Sequence, residues 1–347
     1  MKAIVLVGGE GTRLRPLTET VPKPLLPMMN RAFLHRMLDH LGEHGVHEVV
    51  LSSSYLESAF QEFLEERHGD PKVTWITEAV PLGTGGAIVN ALPNVDDTFL
   101  VLNGDILTDL DLSAMVAFHS GHGAVATISL AHVSDARPYG LVPTRDGRVM
   151  EFREKPAELV PGDVNSGTYV LEPEALEGWE AQHMISVERE VFPRLISSGA
   201  PVFGFLSDAY WMDLGTPEKY LQAHFDILEG KLRGIRVPAT HRADAAGVDL
   251  RAHLGRWVVL GAGVTVGPNA EIDDSVLHAG VSVEPGARVF RSILGPGVVI
   301  GARAVVTGSV LAEGARVEDD AQVTDARVSA GQVAGLEPMS ERPIGPA

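Results

Sequence analysis

Five glycines, Gly263, Gly280, Gly297, Gly314 and Gly331, recur every 17 residues in the last third of a 347-residue chain. A strict short period restricts a fold severely, because each unit must offer the same faces to the next. The residues around the glycines repeat in step. Gly263-Val-Thr-Val266 aligns with Gly280-Val-Ser-Val283, Gly297-Val-Val-Ile300 and Gly314-Ala-Arg-Val317. Asn269-Ala-Glu-Ile272 aligns with Gly286-Ala-Arg-Val289, Arg303-Ala-Val-Val306 and Asp320-Ala-Gln-Val323, and Ser275-Val-Leu277 with Ser292-Ile-Leu294 and Ser309-Val-Leu311. Each unit reads as three short strands with small or branched inward side chains and Gly, Asp or Asn at the corners. That is one coil of a triangular β-solenoid, whose apolar face is buried only by stacking on its neighbours. A β-sandwich with chance glycines would show no fixed period. The spacing predicts a β-helix over 257–333, a weakly periodic linker over 231–256 and a Pro-containing tail over 334–347 that frays.

The first 230 residues alternate between two other patterns. Lys2 to Val7 reads as a strand buried on both faces, and Phe33 to His44 carries Phe33, Leu34, Met37, Leu38 and Leu41 at helical spacing. Strands are expected at Glu48 to Ser52, Lys72 to Thr77, Thr98 to Leu102 and Ala124 to Ala131. Helices are expected at Ser58 to Arg67, Gly85 to Ala91 and Leu112 to His119. This alternation predicts an α/β domain over 1–230 with a mainly parallel, Rossmann-like sheet that binds ligands beyond the strand C-termini.

Composition narrows the chemistry. The net charge of −18 opposes nonspecific nucleic-acid binding, so any anionic ligand must meet a local cluster of cations. The absence of cysteine removes disulfides, thiolate nucleophiles and Cys-ligated metals. No apolar run is long enough to span a membrane, and Ala3 to Val7 is too short for a signal-peptide core, so a cytoplasmic protein is expected. His35, His40, His44 and His47 read as a solvated helix face, and His253 and His278 need no catalytic role.

The first strand runs into Gly8-Gly-Glu-Gly-Thr-Arg13-Leu-Arg15, followed by Pro22-Lys23-Pro24. A glycine turn lets backbone N–H groups approach phosphates, and a helix N-terminus would add its dipole. The turn is not a Walker loop, because Gly-Lys-Ser/Thr is missing, nor a dinucleotide fingerprint, because no third glycine stands at the required offset. Arg13 and Arg15 could clamp phosphate oxygens, with Lys23 held between prolines as a fixed point charge.

Gly8-Gly-x-Gly-Thr-Arg-Leu-x-Pro-Leu-Thr with Pro22-Lys-Pro-Leu resembles the signature of the sugar-nucleotide pyrophosphorylases, nucleotidyltransferases that join an NTP to a sugar 1-phosphate. Leu82-Gly-Thr84, Asn103-Gly-Asp105, Phe152-x-Glu154-Lys-Pro156, Asn165-x-Gly167 and Trp211-x-Asp213-x-Gly215-Thr-Pro217 follow in the same order. The resemblance covers the chain to about residue 330, and several branches of that family carry a left-handed parallel β-helix. It implies that Arg13 and Lys23 are catalytic, and that Gly8, Gly9, Gly11, Thr12, Glu78 and Gly83 bind the nucleotide. It assigns Gly140, Glu154, Lys155 and Asn165 to the sugar phosphate, and Asp105 and Asp213 to Mg²⁺.

Glu78-x-x-Pro-Leu-Gly-Thr84 followed by Gly85-Gly86 looks most like the guanylyl-transferring branch, the GDP-mannose pyrophosphorylases. GTP and mannose 1-phosphate are therefore the favoured substrates, with another hexose 1-phosphate or a cyclitol 1-phosphate as the alternative. Ser166, where many relatives have alanine, and Gly86 depart from the pattern near the expected sugar and base. A silent regulatory subunit is the rival reading, opposed by the presence of Arg13, Lys23, Asp105, Lys155 and Asp213. No His-bearing insertion interrupts the 17-residue period, as an acyltransferase would need, so the solenoid is expected to mediate homo-oligomerisation or allosteric control.

Overall fold

The computed structural model describes residues 1–53, 57–67, 69–234 and 247–335. Strands β1 (Lys2–Leu6), β2 (Glu48–Ser53), β3 (Lys72–Thr77) and β4 (Phe99–Asn103) lie parallel in the order β4–β1–β2–β3. Helices α1 (Phe33–Glu43), α2 (Glu57–Glu66) and α3 (Gly83–Ala91) connect them. The five apolar residues of α1 are all buried, as their helical spacing requires. The chain steps outward from β1 to β3, then returns to the other side of β1 as β4. Strand order reverses there, so the C-terminal ends of β1 and β4 open the crevice where such sheets take ligands.

Beyond β4 come β5 (Ile106–Thr108), α4 (Leu112–Gly121), β6 (Ala126–Val133), β7 (Gly162–Leu171), α5 (Phe192–Ser197), β8 (Val202–Leu206), β9 (Trp211–Asp213) and α6 (Pro217–Leu228). The sheet here is mixed. β7 runs antiparallel to both β4 and β6, while β8 lies parallel to β6. β5 and β9 form a separate antiparallel pair that registers Ile106 against Asp213.

The C-terminal domain is a parallel β-helix of three five-stranded sheets, each strand pairing with the one 17 residues on, as in Val259–Val276–Ile293–Val310. All five periodic glycines adopt φ between +65° and +70°, where only glycine is free of Cβ strain. The other corners are left-handed too. Asn269, Gly286, Arg303 and Asp320 form one column, and Asp274, Arg291, Gly308 and Asp325 the other. Arg291 and Arg303 depart from the expected Gly, Asp or Asn, and Arg303 pairs with Asp320 of the next coil at 2.6 Å. The helix also starts earlier than residue 257. Val248 bridges Val266, and His253–Leu254 pairs with Glu271–Ile272, so this part of the expected linker is solenoid. The remaining linker residues 235–246 and the tail beyond residue 335 lie outside the described residues.

The two domains share a core. Val259, Val276, Ile293 and Val310 form an apolar column that packs with Tyr220, Ala223 and Ile227 of α6 in the same cluster as β1 and α1. Burial of such a side chain contributes about 1.5–3 kcal/mol, so the column makes the β-helix an integral part of the molecule.

Candidate active site

A cleft of about 460 Å³ lies at the C-terminal ends of β1 and β4. Of the residues expected in a site, Gly8, Gly9, Gly11, Thr12, Arg13, Lys23, Glu78, Gly83 and Asp105 line it. Gly140, Glu154, Lys155, Asn165 and Asp213 do not.

The glycine loop is shaped by two different needs. Gly11 has φ +61°, and a Cβ there would sit 3.0 Å from Thr18 Cγ2. At Gly9 a Cβ would meet nothing within 4 Å, so the residue's smallness serves the open cleft rather than the packing. The loop runs into two short turns, Thr12–Leu14 and Lys23–Leu25, and not into an α-helix, which removes the expected helix dipole. Arg13 lines the cleft, whereas Arg15 does not and lies 3.5 Å from Glu10. Lys23 is nearly buried, and its Nζ donates to Asp105 Oδ2 at 2.6 Å.

Asp105 and Asp213 are brought together by backbone geometry. Gly104 N–H donates to Leu6 O at 2.9 Å, and a Cβ on Gly104 would lie 2.6 Å from that oxygen. Only glycine lets the end of β4 approach β1 this closely. Leu214 N–H then donates to Asp105 O at 2.9 Å, beside the Ile106–Asp213 pair. Gly215 leaves a gap between the two motifs, since a Cβ there would lie 2.9 Å from Arg13 Nη2 and 3.1 Å from Asp213 Oδ2.

Lys219, which sequence reasoning missed, donates from Nζ to Asp213 Oδ1 and to Tyr139 Oη at 3.1 Å. Burial alone would lower its pKa, but Asp213 and Tyr139 outweigh burial and raise it. The readable signal was a lysine in the first turn of α6, just after the Thr216 cap, where the helix dipole disfavours a cation.

The other expected residues lie outside the lining of this cleft. Gly140 pairs with Glu154, and a Cβ on Gly140 would press on the Phe152 ring at 2.7 Å. Burial, reinforced by Glu188, raises the Glu154 pKa. Lys155 donates its N–H to Tyr139 O at 2.9 Å, with its Nζ 3.9 Å from Glu154 Oε1. Asn165 donates from Nδ2 to Tyr169 Oη at 2.8 Å and accepts Gly167 N–H on Oδ1 at 2.9 Å. Thr84 Oγ1 and Ser186 Oγ both donate to Glu188 Oε2, at 2.7 and 2.9 Å. Glu188, also missed from sequence, thereby ties Thr84 at the α3 end of the cleft to Ser186, and its charge acts on Glu154.

Several sequence readings change. Glu78, expected to bind the nucleotide, holds its carboxylate buried, accepting from Ser52 Oγ at 2.8 Å and Leu82 N–H at 3.0 Å. Ser166 is buried against Ser129 Oγ between β6 and β7, so its hydroxyl is committed to the sheet. Gly86 answers to packing, since a Cβ there would overlap the carbonyl oxygen of His183. His40 and His44 do not form a solvated face. They contact Leu110 O at 2.9 Å and Ser113 Oγ at 2.8 Å.

Comparison with known proteins follows the two domains. Residues 2–230 match the nucleotidyl transferase family, and residues 237–333 match the GMPPB C-terminal domain. The chain is 38% identical over 298 residues to mannose-1-phosphate guanylyltransferase of Mycobacterium tuberculosis, covering 83% of each chain. It is 34% identical to a probable mannose-1-phosphate guanylyltransferase 3 of Oryza sativa, covering 83% of this chain and 82% of that protein. Among solved structures, HddC from Yersinia pseudotuberculosis complexed with GMP-PN matches at a TM-score of 0.56 and 32% identity, covering 64% of this chain and 97% of that one. By sequence over both domains and by the fold of the first, the chain belongs to the nucleotidyl transferase family.

Proposed function

We propose that the chain condenses GTP with mannose 1-phosphate to give GDP-mannose and pyrophosphate. The observation that carries this is the convergence of the glycine loop, Arg13, the Lys23–Asp105 pair and the Asp213–Lys219 pair at the point where strand order reverses. The guanylyl and mannose assignments are supported by the names of the relatives. Ser166, its hydroxyl buried against Ser129 Oγ in the sheet, lends no support to another sugar or cyclitol. A silent subunit has no need to gather these charges.

The reaction needs no protein nucleophile. A phosphate oxygen of the sugar 1-phosphate forms a bond to the α-phosphorus, and the bond from that phosphorus to the bridging oxygen of the leaving pyrophosphate breaks. Catalysis is then positioning and charge neutralisation. In this reading the backbone of Gly8, Gly9, Gly11 and Thr12 approaches the phosphates, while Glu78 shapes and Gly83 borders the base pocket. Lys23 and Arg13 screen the α-phosphate and the pyrophosphate. Lys155 orients the attacking phosphate, and Gly140, Glu154 and Asn165 face the sugar. Asp105 and Asp213 would hold Mg²⁺. The donor chemistry fits, because both side chains are carboxylates and their backbones meet where Leu214 N–H donates to Asp105 O beside the Ile106–Asp213 pair. Mg²⁺ favours one or two carboxylates with substrate phosphates completing its shell. Bound there, it would supply further neutralisation of the developing charge.

Pyrophosphate release with Mg²⁺, measured for the common NTPs against mannose, glucose, galactose and cyclitol 1-phosphates, tests the reading. Turnover with GTP and mannose 1-phosphate is expected to dominate, and silence across all pairs would overturn it. The same proposal places the enzyme in the cytoplasm, given its lack of cysteine and the absence, among the described residues, of any helix long and apolar enough to cross a membrane. It also keeps self-association through the β-helix, whose last coil exposes Val333. Light scattering on the full chain tests this, since deleting the β-helix would expose the shared core; a monomeric mass would count against it.

A further inference from the structure

The last coil of the β-helix reaches back to the glycine signature. Arg327 Nη1 donates to two backbone carbonyls there, Arg13 O at 3.1 Å and Arg15 O at 2.7 Å. On the same coil Ser329 Oγ donates to Glu19 Oε1 at 3.0 Å and Ala330 N–H to Glu19 Oε2 at 3.3 Å. Thr20 Oγ1 donates to Glu313 Oε2 at 3.3 Å. The segment from Arg13 to Thr20 is therefore held by a domain some three hundred residues away in sequence.

The chemistry explains why an arginine stands there. In this run of turns each carbonyl accepts from the N–H three residues on: Gly11 O from Leu14, Thr12 O from Arg15 and Leu14 O from Leu17. Arg13 O breaks the series, because the residue three on is Pro16, which has no N–H. In this exposed segment water could serve that carbonyl, but the guanidinium supplies a donor fixed to the β-helix and reaches Arg15 O as well, which ties the two backbone sites together. Arg327 Nη2 also lies 3.9 Å from Glu218 Oε1 at the start of α6, the helix that carries Lys219.

We propose that Arg327 is a positioning residue for nucleotidyl transfer. It fixes the backbone on either side of Arg13 and so aims the Arg13 side chain across the cleft toward Gly215 and Asp213. The β-helix thereby enters the catalytic machinery through the loop's conformation, without touching substrate. This inference rests on the functional reading above.

The test compares Arg327→Ala and Arg327→Lys with Arg303→Ala, another exposed solenoid arginine, which pairs with Asp320. All are made in the full chain. Arg327→Ala is expected to lower kcat/KM for the nucleotide about tenfold, which corresponds to about 1.4 kcal/mol. KM for the sugar phosphate should change less than twofold, and Arg327→Lys should fall between the two. Guanidinium ion at millimolar concentration should restore part of the lost activity in Arg327→Ala and none in Arg303→Ala. Amide exchange at Leu14, Arg15 and Leu17 should quicken at least fivefold in Arg327→Ala alone, with thermal midpoints equal to that of Arg303→Ala. Activity and exchange indistinguishable from Arg303→Ala would overturn the proposal, as would a loss matched by a lower midpoint and not rescued by guanidinium. An unmodified chain silent on GTP and mannose 1-phosphate counts against the functional reading alone, and the exchange rates then decide the role of Arg327.

Discussion

In a chain of net charge −18, the two cations bordering the cleft, Arg13 and Lys23, must do most of the work of holding a triphosphate. Their surroundings differ enough to separate binding from folding. Arg13 is exposed, and its guanidinium lies against Gly215, so truncating it removes charge without opening a cavity. Lys23 is nearly buried on Asp105, and truncating it leaves a half-buried carboxylate without its partner. Arg13→Ala and Lys23→Ala are both expected to lower turnover by about 10²–10³, the loss typical of one preorganised electrostatic stabiliser. Arg13→Ala should keep its urea midpoint, while Lys23→Ala should lose stability as well. Steady-state pyrophosphate release paired with urea unfolding reads both effects, and a loss of turnover below threefold for either residue would remove it from the site. The cations were legible because Lys23 is flanked by prolines and Arg13 follows a glycine turn. Lys219 was not, because its importance comes from the β5–β9 pairing that sets Asp213 beside Asp105, a contact between segments about a hundred residues apart.

At the scale of elements, the start of α3 is the least ordinary feature of the first domain. Gly83-Thr-Gly-Gly86 reads as a loop, and periodicity placed the helix start at Gly85, yet the helix begins at Gly83. The backbone of the segment around Ile185 supplies the cap, its carbonyl accepting from Gly85 N–H at 2.8 Å and Gly86 N–H at 3.1 Å. Such closeness excludes side chains. A Cβ would lie 2.7 Å from Ile185 O at Gly83 and would overlap His183 O at Gly86. Gly86→Ala should therefore push the 183–187 segment away, with a loss of about 1–3 kcal/mol typical of overpacking. Because Glu188 is tied to Thr84 and Ser186, the same variant should raise KM for the sugar phosphate more than KM for the nucleotide. A Gly86→Ala protein with unchanged urea midpoint and unchanged KM values would show that the two segments part freely. The 17-residue coils, by contrast, were readable almost residue by residue, since four successive coils repeat the same three left-handed corners. Only the corner arginines and the earlier start at Val248 escaped, and both depend on neighbouring coils rather than on local pattern.

At the scale of the whole molecule, the seam between domains contains a buried aromatic and histidine cluster that ties stability to pH. Tyr220 on α6 places its hydroxyl against Pro27 O and 3.2 Å from His278 Nε2 of the β-helix, and His224 Nδ1 lies 2.9 Å from Tyr220 O. His224 Nε2 is buried with no hydrogen-bond partner among the described residues. Burial, with Arg36 also opposing protonation, pushes His224 down to about 4, and burial with His224 as neighbour pushes His278 down to about 3. Both are therefore neutral in the folded chain at pH values where an unfolded histidine, with its pKa near 6.5, takes up a proton. The unfolded state then binds more protons, so unfolding free energy rises with pH across this window. Stability is full above about pH 6.5 and falls as pH drops toward the folded values, each histidine approaching a slope of about 1.4 kcal/mol per pH unit. Urea unfolding between pH 7.5 and 5 spans this window, and because burial also lowers His40 and His119, the difference in slope between parent and variant isolates the seam. His278→Gln should be less stable than the parent at pH 7.5 but show a shallower fall with acid. Parallel pH slopes for the two proteins would mean that the seam opens to water and that the β-helix is held by its apolar column alone.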